Sequence, residues 1–353
     1  MTLAEKISRI VPRARAFYRA TEPGHFLVSA HFPVDRPKRP LLSSLDLDRQ
    51  LGEWMESKLA NMRPVWNAKA DLDDDMIPSI CPSFGTAEHS AWLGQEVRQE
   101  LNTCIARPCM SSLRDMDKLT MDEHARWFRY MKEGYDYLRQ RKGDEYVLAV
   151  RGTMSPMDIA NAVRGDEILT DVLLDPEAAH MLCDFLVRAM RWYYQHMLSW
   201  VDPIEDGHVF MYGSSWAGPK CIGHLGNDMS MMCSPDVYAE FGFPYETRVV
   251  EGYDRIIYHY HSERLHSLPQ VAKLPGMALL EVAHDPQTPE IMEDLPRIFS
   301  ATGKAGLMLA GTSDEVRRHI DELKQRNVFL QINCRDAADA RDIIAFVRSH
   351  SRP

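Results

Sequence analysis

The sequence predicts an α/β fold, a single (β/α)8 TIM barrel over residues 1–353, on three observations. Eight short β-rich runs alternate with helical stretches, and the later runs recur about every 20–30 residues, as successive βα units of a closed parallel barrel do. No glycine-rich phosphate-binding turn follows any run, which counts against a doubly wound open sheet, the alternative architecture. No low-complexity linker or internal repeat divides the chain, so one domain is expected.

Taken in order, the runs are FLVSAHF at 26–32, IPSICPSF at 77–84, YVLAVRG at 146–152 and HVFMYGSS at 208–215. The second half adds RIIYHYH at 255–261, ALLEVAH at 278–284, GLMLAG at 306–311 and VFLQINC at 328–334. Between them lie periodic helical stretches such as PEAAHMLCDFLVRAMRWYYQHM and TSDEVRRHIDELKQR. The latter opens on a Thr-Ser-Asp cap and an acidic first turn, which satisfy the free N–H groups of a helix start. Residues 85–145 form an insertion between the second and third runs, expected to be mostly helical and to cover part of the barrel mouth.

Composition narrows the partners. The formal net charge is −10, so there is no basic surface on which a phosphate backbone depends, and nucleic acid is not expected. The opening segment is broken by Lys6, Arg9, Arg13 and Arg15, and no run of eighteen apolar residues occurs; the expectation is a cytoplasmic protein without a signal or a membrane span. Seven cysteines at 81, 104, 109, 183, 221, 233 and 334 lack paired short spacings, which fits reduced thiols.

In a barrel of this kind the reactive groups come from the carboxyl ends of the strands. The fifth run ends in His259-Tyr260-His261, and strand alternation sends both imidazoles to one side. The sixth carries Glu281 in an otherwise apolar run, where a carboxylate is costly unless paired or metal-bound. The eighth ends in Cys334. Nitrogen, oxygen and sulfur donors at three strand ends make His259, His261, Glu281 and Cys334 a candidate zinc site. Asp228 and His224 are candidate acid/base residues. His31, Trp216 and His284, near strand ends, are candidates to line a substrate pocket. Asp73-Asp74-Asp75 precedes the second run, so a solvated turn on the opposite face is expected there rather than a metal cluster.

Two sets of motifs carry a family resemblance. One is His224-Leu225-Gly226-Asn227-Asp228-Met229, followed by Cys233-Ser234-Pro235-Asp236-Val237-Tyr238 and Phe243-Pro244-Tyr245. The other is Met154-Ser155-Pro156-Met157-Asp158-Ile159 followed by Arg164-Gly165. They resemble the uroporphyrinogen decarboxylase superfamily, which places a Gly-x-Asp segment after the fourth strand and then Ser-Pro-x-x-Tyr and Pro-Tyr. The likeness runs from about residue 75 onward.

The decarboxylase proper has an arginine-rich Gly-Arg-Tyr segment, an Asp and a Tyr after its first three strands. Here stand His31-Phe32-Pro33-Val34-Asp35, Ser79 or Cys81, and Ala162-Val163, so uroporphyrinogen is not the expected substrate. The resemblance is nearer to the zinc-dependent corrinoid methyltransferases and cobalamin-independent methionine synthase. These hold zinc through His-x-Cys on the fifth strand and Cys near the eighth, and the synthase adds a Glu on the sixth. His259, Cys334 and Glu281 match by position, while His261 stands where those families have Cys.

The resemblance implies a zinc-dependent methyltransferase-like enzyme acting on a small molecule. A corrinoid or folate, the former from a separate corrinoid protein, would serve as methyl source or acceptor, and the protein would form a homodimer. The alternatives are a metal-free decarboxylase of a small carboxylic acid and a barrel that binds a ligand without catalysis.

Overall fold

Aliphatic runs that can be buried on both faces become the central strands, because a parallel sheet covered by helices offers no wet side. The computed structural model describes residues 1–352, the Ser230 side chain excepted. In chain order the strands are β1 (Phe26–His31), β2 (Ser79–Ile80), β3 (Val97–Gln99), β4 (Cys104–Ala106), β5 (Val147–Val150), β6 (Thr153–Met154) and β7 (His208–Phe210). They continue with β8 (Ser215–Ala217), β9 (Cys221–Gly226), β10 (Arg255–His261), β11 (Met277–Ala283), β12 (Gly306–Thr312) and β13 (Val328–Asn333).

The fold is mixed α/β. A seven-stranded parallel sheet has the order β1-β13-β12-β11-β10-β9-β6, and a four-stranded sheet has the order β2-β5-β7-β8. All eight expected runs contain a strand, but the backbone ladder among the described residues is split between these two sheets rather than running unbroken.

The fourth expected run departs most from the reading above. Its strand stops at Phe210, turns through Tyr212–Ser214, and returns as β8 antiparallel to β7, with Val209 opposite Trp216. The place beside β10 is taken by β9, whose Gly223 and Gly226 dilute the apolar pattern by which a strand is recognised. One extra residue of β9 is accommodated where Ile256 pairs with Ile222 but Tyr258 with Leu225; bulges of this kind re-aim side chains next to active sites.

The two sheets are joined at two places. β5 and β6 are separated by two residues, so one stretch of chain serves both. On the other side, Asp75 stands before β2 and grips β1: its N–H donates to the Val28 carbonyl at 2.6 Å, and its carboxylate accepts from the Val28 N–H at 2.8 Å. Asp74 and Asp75 are therefore not a solvated turn. They are buried and paired, Asp74 with Lys69 at 2.7 Å and Asp75 with Arg348 at 2.6 Å.

Helices pack outside the strands. The one over Ser313–Leu323 starts at Thr312 with a capping box to Glu315, an arrangement worth about 1 kcal/mol. The 85–145 insertion is less helical than its composition suggests. It holds one long helix, Arg126–Arg141, the β3–β4 hairpin and three short 3-10 turns, and it supplies Gly85, Thr86, His89 and Ile105 to a cavity wall. No helix among the described residues is long and apolar enough to cross a membrane.

Candidate metal centre

β9, β10 and β11 are neighbours, and their polar residues converge at the carboxyl ends. His259 lies in register with Gly226 on one side and Glu281 on the other. His259 Nδ1 is 2.8 Å from Glu281 Oε2, and His224 Nε2 is 3.0 Å from the same oxygen. His261 Nδ1 is 2.7 Å from Asp285 Oδ1. The Nε2 atoms of His259 and His261 then face each other at 3.1 Å, with Asp228 Oδ1 3.3 Å from His261 Nε2.

Two overlapping donor sets result: His224, His259 and Glu281, and Asp228, His259 and His261, each with its ligand atoms within 4.8 Å of one another. The second is the better cage. Each of its imidazoles donates from Nδ1 to a carboxylate, which fixes the tautomer and aims Nε2 inward, the arrangement that supports metal-bound histidines. Two nitrogens on a tetrahedral zinc stand about 3.3 Å apart at the usual bond length, close to the spacing found.

Electrostatics follow the geometry. Burial favours a neutral Glu281 carboxyl, but the hydrogen bonds from His224 and His259 outweigh it and hold the group well below the usual carboxylate range. Asp228, with Asp285 adding to it, raises His261 to about 9. His224 is buried and stacked on the Tyr212 ring, centroids 3.5 Å apart, and burial pulls it down to about 4 despite Glu281. Metal-free, His261 thus carries two protons, one of them shared toward His259 Nε2 and Asp228. A proton occupies the place that a cation would take.

The sequence-derived residues separate cleanly. His259, His261, Glu281, His224 and Asp228 come together. Cys334 joins neither donor set among the described residues. Phe329 and Gln331 share a face with Met308 and, through it, Glu281; alternation sends Cys334 to the opposite face. Its thiol contacts the Ile332 carbonyl at 3.5 Å, and burial, opposed by a hydrogen bond with Ser313, raises it above its ordinary value.

Trp216 is carried by β8 back to the amino ends, where it lines a cavity with Asp254 and Gly276 and donates to the Ile204 carbonyl at 2.8 Å. His284 is exposed, one residue short of the parity that brings Asp285 inward, and His31 bonds Ser29 at 3.0 Å. None of Trp216, His284 and His31 lines the cavity beside the histidines.

That cavity measures about 570 Å³ and is reached by His224, Asp228 and His259. Arg151, at the end of β5, enters it and was missed from sequence, although a cation closing an apolar run, VLAV, is itself a signal. Its Nε donates to Glu88, while its buried Nη1 has no hydrogen-bond partner. Asp158 was also missed as a support: it accepts from the N–H groups of Asp228 at 3.0 Å and Met229 at 2.7 Å, pinning the loop that presents Asp228.

Compared with known proteins, the chain matches no family model, and no curated protein matches it.

Proposed function

We propose that the protein is a metal-dependent enzyme acting on a small molecule, with one divalent cation, zinc by the chemistry of its donors, held by His259, His261 and Asp228. The observation that carries this is the pair of opposed Nε2 atoms, each backed by a carboxylate on its own Nδ1. A cation so held supplies Lewis acidity, polarising a substrate oxygen or sulfur. An all-nitrogen and oxygen donor set leaves the cation more electron-poor than thiolates would, which suits a methoxy or carbonyl oxygen as well as a thiol.

The family reading then points to methyl transfer, with a corrinoid protein or a folate as the other partner. It accords with two sheets joined at two places, through the β5–β6 stretch and through Asp75 on β1, as the two arcs of one (β/α)8 barrel would be. The chain's own groups have separate tasks. Arg151 Nη1 receives a substrate carboxylate, Tyr212 and the insertion wall off water, and Asp158 holds the Asp228 loop in place.

Metal analysis of untagged protein purified without chelator tests the centre, with about one zinc per chain expected. Spectroscopic assay of methyl transfer between free corrinoid and methoxylated or thiol small acids tests the reaction. The second reading, a metal-free decarboxylase, is favoured by the free Arg151 nitrogen in the cavity that His259, the neighbour of a proton-bearing His261, also lines. It prevails if the protein takes up no zinc yet releases carbon dioxide from a small acid.

A further inference from the structure

A second cavity, about 200 Å³, lies beside the first, with Arg39, Lys58, Asn61 and Ser79 in its wall. The two are neighbours along the chain: Ala149 and Met211 line this one, and Arg151 and Tyr212 line the other. Arg39 and Lys58 both lie against the Trp54 ring, 4.1 and 5.8 Å from its centroid, and neither has a carboxylate within 4.0 Å among the described residues. In a chain of net charge −10, two adjacent cations without a counter-charge are conspicuous. The carboxylate that acts on Lys58 from a distance, Glu88, is already taken by Arg151 and by the Gly85 N–H at 3.1 Å.

Ser79 supplies an independent sign. It is 5% exposed, lines the cavity, and its hydroxyl has no partner, as is also true of the buried Arg39 Nε. Orphaned buried polar groups are costly unless a ligand or water satisfies them. Burial lowers Lys58 to about 8, and Arg39 adds to the shift.

We propose that this cavity is an anion subsite for a phosphate group, gripped by Arg39 and Lys58 and hydrogen-bonded by Ser79. A planar carboxylate would be met by one guanidinium fork; a fork, a separate point charge and a hydroxyl converging from different elements match the several acceptors of a tetrahedral oxyanion. The volume is below the roughly 300–1,000 Å³ of whole-ligand pockets, so it takes the phosphate end of a larger molecule or the free ion.

The test is calorimetric titration of the purified full-length protein with inorganic phosphate and, separately, acetate, with zinc content measured on the same samples. Phosphate is expected to bind once per chain and to raise the Tm. Arg39→Gln and Lys58→Gln should each weaken it at least tenfold and abolish the phosphate-dependent Tm rise while leaving zinc content unchanged. Acetate binding as tightly as phosphate, no phosphate binding at all, or binding indifferent to both variants would each overturn the subsite. Zinc content reports separately on the metal reading, so either can fail alone.

Discussion

The Nε2 atoms of His259 and His261 stand 3.1 Å apart because Glu281 and Asp285, four residues apart on and just past one strand, each hold the far side of one ring. Two aromatic lone pairs aimed at each other repel unless a positive charge lies between them. In the metal-free protein that charge is a proton.

Replacing His259 or His261 by Ala should therefore abolish zinc uptake, and Asp228→Asn should weaken it. Cys334→Ser should leave zinc content as in the parent protein, since the thiol faces away from the cluster. Metal analysis of the four variants checks this; loss of zinc in Cys334→Ser would return the thiol to the ligand set.

Glu281 acts through His259 rather than on the cation in this scheme. Glu281→Gln should retain the site but lower zinc affinity by about 10–100-fold, the usual cost of removing a carboxylate behind a liganding imidazole. Competition with a chelating dye measures it. A complete loss equal to that of His259→Ala would instead place Glu281 in direct contact with the metal.

A buried network behind the site sets a stability prediction. Glu246 accepts from Tyr238 at 2.7 Å, from Tyr258 at 3.0 Å and from Asn227, the residue before Asp228. Glu246→Ala strands those donors and opens a cavity, costing about 2–5 kcal/mol. Burial, against these hydrogen bonds, lifts Glu246 to about 7. Its folded pKa is above the unfolded one, so its contribution is complete below the ordinary carboxylate pKa and is lost as pH rises through about 7. Glu246→Gln should flatten that part of the Tm profile, and an unchanged slope would refute the assignment.

Incubation with uroporphyrinogen should yield no coproporphyrinogen. Arg151 is the one Arg or Lys lining the 570 Å³ cavity among the described residues, and Asp158 and Asp228 share the wall, so a polycarboxylate tetrapyrrole meets as much repulsion as grip. Product detected by fluorescence would contradict this.

How much of this could be read from sequence depends on parity and direction. The pairing of His259 with His261 and the inward carboxylate of Glu281 follow from two-residue alternation alone. The same count, carried past the strand end, excludes Cys334 and His284 and selects Asp285, but composition drew attention to the better metal donor instead. Trp216 was misplaced because the Gly213-Ser214-Ser215 turn signal reads equally as the end of a strand and as a reversal; Gly213, at φ 70°, is where the chain turns back. β9 was hidden by its own glycines. Arg39 and Lys58 become legible only when the absence of their counter-charges can be seen.

Six of the seven cysteines are buried, and both donor sets consist of nitrogen and oxygen alone. Peroxide and disulfide exchange, which strip metal from thiolate cages by oxidising the ligands, find nothing to attack in such a cluster. A metal centre built this way would stay loaded in open air without a reductant, and an alkylating reagent offered to the folded protein would meet Cys109, far in sequence from His224, His259 and His261.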